Sequence, residues 1–203
     1  MSRYTGPRLK VMRALGCELP GLSRKSLGER NYPPGQHGQR ARRKSDYGIK
    51  LMEKQKLRMN YGLTESQLRR LFEDAKRFRG PTGDKVLELL ERRLDNVVFR
   101  AGFAPTGIAA RQLVRHRHVL LNGKPVNIPS IRVRPGDVVT LTDKAGKIEM
   151  VQAALAEPSL ARPEWLVWET EGKAIRVSRV PSPDEVPFPV EMPHVVEYYA
   201  ARL

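Results

Sequence analysis

Apolar side chains recur at helical spacing along most of the chain between residues 45 and 117. Ser45 is placed to cap a helix running to about Asn60, with Gly62 as its stop. Thr64 and Gln67 have capping-box spacing, and Leu68, Leu71, Phe72, Ala75 and Phe78 form one stripe behind them. Gly80-Pro81-Thr82-Gly83 interrupts the pattern, which resumes at Val86, Leu87, Leu89, Leu90 and Leu94 and predicts a helical core. A further helical pattern through Leu94, Val97, Val98 and Ala101 ends at Gly102. Pro105-Thr106 opens the next helix, with Thr106 as N-cap and an end near Arg117. Beyond it, Val119–Leu121, Val126–Ile128 and Val138–Leu141 read as short strands broken by Asn122-Gly123 and Pro135-Gly136-Asp137. The tail from Pro158 is punctuated by proline, with short strands around Trp165–Trp168 and Ile175–Val177, and closes on the apolar-aromatic segment Val195–Tyr199. No repeat of 20–50 residues is visible.

Composition narrows the class. A chain of 203 residues that is 40% hydrophobic and 6% aromatic can bury one sizeable aliphatic core or two small ones. Sixteen Gly and sixteen Pro imply many turns without general disorder. No apolar run approaches the roughly 18 residues of a membrane span, and the N-terminus lacks the apolar stretch and cleavage site of a secretory signal. Cys17 is the only cysteine, which excludes an internal disulfide and a cysteine cluster for zinc and fits a reducing, intracellular compartment.

Charge changes the picture most. Net charge is +15 and pI about 10.4, the class whose default partner is nucleic acid. The excess is uneven: residues 1–60 hold 15 basic and 4 acidic side chains, residues 61–135 hold 15 and 7, and residues 136–203 hold 7 and 11. One end is expected against polyanion and the other against solvent or protein.

At about 100° per residue, Arg111, Arg115 and His118 share one face of the helix opened by Thr106, with Ala109, Ala110 and Leu113 roughly opposite. An isolated Arg pair would more often be a solvated helix face. In a chain this basic, the face reads as a phosphate-binding surface for an A-form target recognised by shape and backbone. Residues 1–45 read as a basic arm with weak helical periodicity, carrying Arg24-Lys25, Asn31–Gly38 and Arg40–Lys44. Composition leaves two accounts of it open: a segment ordered by RNA, or a flexible tail drawn to any polyanion.

Catalytic motifs are missing. The Gly-Lys pairs at 123, 146 and 172 complete no P-loop, and no dinucleotide fingerprint, nucleophile elbow or zinc-protease motif occurs. His116 and His118 read as helix-end histidines beside RNA rather than metal ligands. Arg93-Leu94-Asp95 is similar to the aspartate motif of pseudouridine synthases. In those enzymes a large catalytic domain follows the RNA-binding module, whereas here only the residues after about Val151 remain. Asp95 is better placed to pair with a nearby Arg on an amphipathic helix. The chain is expected to be a non-enzyme.

Several segments together carry a resemblance. They are Arg3-Tyr-Thr-Gly-Pro7, Tyr32–Gly38, Glu53–Arg58 with Tyr61-Gly-Leu63, Leu90–Arg100, Ala110–Val114, Leu121-Asn-Gly123, Arg134–Asp137 and Val196–Tyr199. In this order, over nearly the whole chain, they resemble the bacterial ribosomal protein S-four (uS-four) family. The resemblance implies an α+β fold: a helical domain over residues 46–92, completed by residues 155–203, and an inserted helix-plus-strand RNA-binding module over residues 93–154, after a basic N-terminal region of residues 1–45. It implies direct binding to the 5′ domain of 16S rRNA, nucleation of subunit-body assembly, an influence on decoding accuracy with ribosomal proteins S-five and S-twelve, contact with S-five, a place near the mRNA entry path, and residence in the cytoplasmic small subunit. Some members also repress their own mRNA, which the resemblance does not assign here.

Carried over by position, Arg111 and Arg115 are the expected rRNA contacts. His118 joins them from the helix face, and Lys54, Lys56, Arg58, Arg40, Arg42, Arg43 and Lys44 complete the expected set. Two departures stand out. Family members that hold zinc near the N-terminus do so with four cysteines, so with Cys17 alone neither metal nor other cofactor is expected. Many relatives have Arg where Gly107 stands and a small residue where Arg117 stands, so the cationic face is expected to lose one contact at the start of the helix and to regain charge near its end, from a different angle.

Overall fold

The computed structural model describes residues 4–40, 43–170, 173–200 and 202. Helices α1 (Arg8–Leu15), α2 (Asp46–Asn60), α3 (Glu65–Ala75), α4 (Thr82–Glu91), α5 (Leu94–Arg100) and α6 (Gly107–Arg115) come first. Strands β1 (Val119–Leu121), β2 (Lys124–Val126) and β3 (Val138–Leu141) follow, then α7 (Asp143–Gly146) and α8 (Glu149–Ala156). Strands β4 (Leu166–Thr170) and β5 (Ala174–Val177) lead through a 3-10 turn at Pro183–Glu185 to α9 (Met192–Ala200). The fold is α+β, and the chain divides into two compact units, residues 1–86 with 187–203, and residues 87–186.

The first unit is helical. Ser45 caps α2 by accepting from Gly48 N, and Thr64 with Gln67 forms the reciprocal capping box on α3. Leu68, Leu71, Phe72 and Ala75 are buried as the stripe requires, but Phe78 lies past the helix end, half exposed beneath Lys85. The C-terminal helix α9 returns to α2: Tyr198 stacks on Tyr47, Lys50 pairs with Glu197 at 2.9 Å, and Glu191 N donates to Glu53 Oε2 at 2.9 Å.

The N-terminal region differs from a uniform basic arm. Residues Arg8–Leu15 form α1, and Met12, Leu15, Cys17, Leu19 and Leu22 are buried. Gly21 N donates to the buried Asn60 Oδ1 at 2.9 Å, tying this segment to the end of α2. An apolar series at helical spacing sits among the basic residues there, and burying it outweighs the pull of the prolines and glycines toward turns. The turn from Pro33 onward is tight: a Cβ on Gly38 would sit 1.8 Å from Pro33 O, so only glycine fits.

The second unit is built on an antiparallel sheet of order β2-β1-β3-β5-β4. Asn122 and Gly123 take φ of +50° and +76° and close the β1–β2 hairpin at Leu121–Lys124, as a two-residue primed turn demands. That turn sets β2 at Lys124–Val126, so Ile128, expected at the end of a strand, lies outside it and is exposed. Helices α5 and α6 pack together, and Leu94, Val97, Val98, Ala110, Leu113 and Val114 share one core with Val139, Leu141, Ile175 and Trp165. α5 lacks a side-chain cap; Leu94 N and Asp95 N instead donate to Ile131 O and Pro129 O, which satisfies donors a helix start leaves open.

The expected return of residues 155–203 to the helical domain differs from what is observed. β5 pairs with β3 (Val139 opposite Ile175) and β4 with β5, so residues 155–186 stay with the sheet and only residues 187–203 join the helical unit. The α5–α6 pair buries one side of the short strands, and extending the sheet satisfies an edge of β3 that would otherwise be open.

Candidate nucleic-acid interface

Thr106 starts α6 as expected, accepting from Ala109 N, and buries Ala110, Leu113 and Val114 inward. The basic residues on the helix separate by depth. Arg111 lies against the core with a side chain 16% exposed, its Nε and Nη2 donating to Asp95 Oδ2 at 2.9 and 2.7 Å. Asp95, 6% exposed, also accepts from Arg93 Nε and Nη2 at 3.1 and 2.9 Å. One buried carboxylate at the start of α5 thus fixes two guanidinium groups, where the helix dipole favours its charge.

One turn later Arg115 is exposed, and His118 is half-buried with its ring 6.3 Å from that of His116. Arg117 N donates to Val114 O and His118 N to Leu113 O, the pair of bonds that closes a helix in a Schellman motif. The motif puts Arg117 at φ +61°, a conformation that favours glycine. Its side chain is exposed, as are Lys124 in β2 and Arg134. The cationic surface therefore centres on the end of α6 and the turn after it. Arg117, Lys124 and Arg134 were not in the sequence-based set. Arg117 could have been found from its place just after a helix end, where a bulky residue is costly.

The second basic group lies on α2 in the first unit. Lys54 is buried and donates to Glu65 Oε2 at 2.8 Å, while Lys56 pairs with Glu53 at 2.6 Å. Arg58 is half-buried and reaches Gln55 Oε1 at 3.3 Å. These three were expected on an RNA-facing surface; the fold turns Lys54 into the interior and engages Lys56 with acid. Arg40, Arg43 and Lys44 are exposed, and Arg42 lies outside the described residues. The described residues contain no group of three or more His, Cys, Asp or Glu able to hold a metal ion.

Two family models match, "Ribosomal protein S4/S9 N-terminal domain" over residues 3–91 and "S4 domain" over residues 92–139. Among curated proteins, the small ribosomal subunit protein uS4 of Methylobacillus flagellatus is 62% identical and uS4B of Nitrosomonas europaea 60%, each over the full length of both chains. The uS4 protein of Nostoc punctiforme is 52% identical, again over both full lengths.

Proposed function

This chain belongs to the bacterial small ribosomal subunit protein uS4 family, and from that premise we propose that it binds the 5′ domain of 16S rRNA directly and nucleates assembly of the subunit body. It is a structural, non-enzymatic ribosomal protein with an RNA-binding S4 domain, part of the translation machinery of the cytoplasm. The observation that carries the rRNA reading is the cationic end of α6, where Arg115 and Arg117 are exposed and His118 is half-buried at a closing turn held by two backbone hydrogen bonds. Arg40, Arg43 and Lys44 add phosphate contacts from the first unit, and Arg111 contributes mainly by fixing the helix. The segment of residues 187–203, which carries no basic excess and packs through α9 on α2, supports a place beside ribosomal protein S-five rather than on phosphate. Through S-five and S-twelve the protein influences decoding accuracy, and it lies near the mRNA entry path.

Titration of the full-length protein with 5′-domain rRNA at several salt concentrations tests the reading. Arg115→Ala is expected to weaken binding, to reduce the magnitude of the salt slope by about 0.7–0.9, the value per released counterion, and to leave thermal unfolding unchanged. Unaltered affinity and slope in the Arg115→Ala/Arg117→Ala double variant would move the binding surface elsewhere.

A further inference from the structure

The sheet of the second unit ends in two strands that are finished differently. β2 is three residues long and carries Pro125, which denies that edge a donor. β4 is five residues long and has no proline. Its bulge lies between Trp168 and Thr170, so Leu166–Trp168 keeps regular register with β5. Val167 pairs with Arg176, and two residues back along β4 Trp165 O accepts from Ser178 N at 2.9 Å. The main-chain groups of Trp165 and Val167 therefore turn toward β5, and those of Leu166 and Trp168 turn outward. Pro163 O takes the Leu166 N–H at 3.1 Å, whereas the Trp168 N–H and carbonyl have no backbone partner among the described residues.

The side chains around this edge select the sign of a partner. Residues 157–171 hold Glu157, Glu164, Glu169 and Glu171 against Arg162 alone, in a chain of net charge +15. The Glu164 side chain is 92% exposed and lies 3.6 Å from Arg179, a guanidinium already held by both oxygens of Glu185 at 2.9 Å. Glu169 is engaged by Arg176 on β5. Arg162 lies over the Trp168 ring, 4.5 Å from its centroid, a cation drawn to an aromatic face. Val167 is 49% exposed, and Val180, next to Arg179 in the chain, is exposed too. Beside the open main-chain groups, an incoming strand thus meets an apolar side chain and a weakly compensated carboxylate.

We propose that the β4 edge accepts an extended, lysine- or arginine-rich segment of another protein as an added strand, with an apolar side chain against Val167 and a cation at Glu164. Strand addition draws affinity from the main chain and selectivity from alternate side chains. A second copy of this chain fits less well, because pairing two β4 edges puts two acidic segments side by side, and like charges across a strand pair are destabilising. The same carboxylates repel phosphate. The proposal stands apart from the rRNA surface on α6 and does not depend on it.

Both tryptophans of the chain, Trp165 and Trp168, lie in or beside β4, so the fluorescence of the full-length protein reports this edge. The probe is a capped peptide of alternating lysine and valine, with two controls: proline in place of each valine, and glutamate in place of each lysine. The lysine–valine peptide is expected to shift the tryptophan emission and to protect the Trp168 N–H from hydrogen exchange, and the controls to do neither. Glu164→Lys and Val167→Lys, both at exposed positions, should each weaken the peptide about fivefold, the size of one rim charge contact, with thermal unfolding unchanged. Equal binding of the proline peptide would reduce the effect to bare charge and overturn the proposal, as would equal binding of the glutamate peptide or no response at all. Self-association of the protein that Val167→Lys abolishes would assign the edge to a second copy instead. A rise of about 0.7–0.9 in the magnitude of the salt slope for 5′-domain rRNA in Glu164→Lys would put phosphate at this edge and likewise overturn the proposal. Arg115→Ala tests the α6 reading separately.

Discussion

Helices α2 and α6 both carry basic motifs, and the fold puts their charges to different uses. On α2, carboxylates lie within reach: Lys54 is consumed by Glu65 and Lys56 by Glu53. On α6, one carboxylate, Asp95, takes the first arginine, and Arg115 and Arg117 beyond it stay exposed. A basic side chain thus becomes structural where the tertiary fold supplies a buried acid and remains available for phosphate where it does not. Breaking a buried pair strands a desolvated charge, whereas losing an exposed cation changes mainly the long-range field.

The largest effect that would sharpen this contrast is at Asp95. Asp95→Ala leaves Arg93 and Arg111 without their shared carboxylate and should lower unfolding free energy by about 3–5 kcal/mol, measured by urea denaturation. A cost below about 1 kcal/mol would mean that the two guanidinium groups find water, and that Arg111 belongs with the exposed set.

The next effect concerns the α2 network and its pH dependence. Burial, then the hydrogen bond to Glu65, pushes the Tyr199 phenol well above its ordinary value of 10.0. A folded-state pKa above the unfolded one gives stability that is complete below about pH 10 and lost as pH rises beyond it. Tyr199→Phe should therefore cost about 1 kcal/mol at neutral pH and show a shallower alkaline decline in melting temperature than the parent. On the acid side, the depressed Glu65 pKa contributes stability that is lost as pH falls below its ordinary 4.5. An alkaline decline identical in parent and variant would remove Tyr199 from the network.

The smallest effect has two signs. Arg117→Gly relieves a left-handed backbone at φ +61° and should raise stability by about 0.5–1 kcal/mol while weakening rRNA binding. A variant that is both more stable and equally tight would show that Arg117 serves neither packing nor phosphate.

Much of the fold was legible because its determinants are local. Ser45, Thr64 with Gln67, and Thr106 cap their helices through bonds spanning three residues, and Asn122-Gly123 dictates its own turn. The charge gradient and the single cysteine are likewise properties of the chain alone. The tertiary structure decided what depends on partners far apart in sequence. The pairing of β5 with β3 moved residues 155–186 into the second unit, and α1 formed because Met12, Leu15 and Leu19 had a core to enter. The candidate site followed the same division. Periodicity placed Arg111 and Arg115 on one helix face, but only the approach of Asp95, sixteen residues away, separates them by depth. Helical spacing fixes direction within one element, whereas burial and charge compensation are set by what other elements bring to the same point.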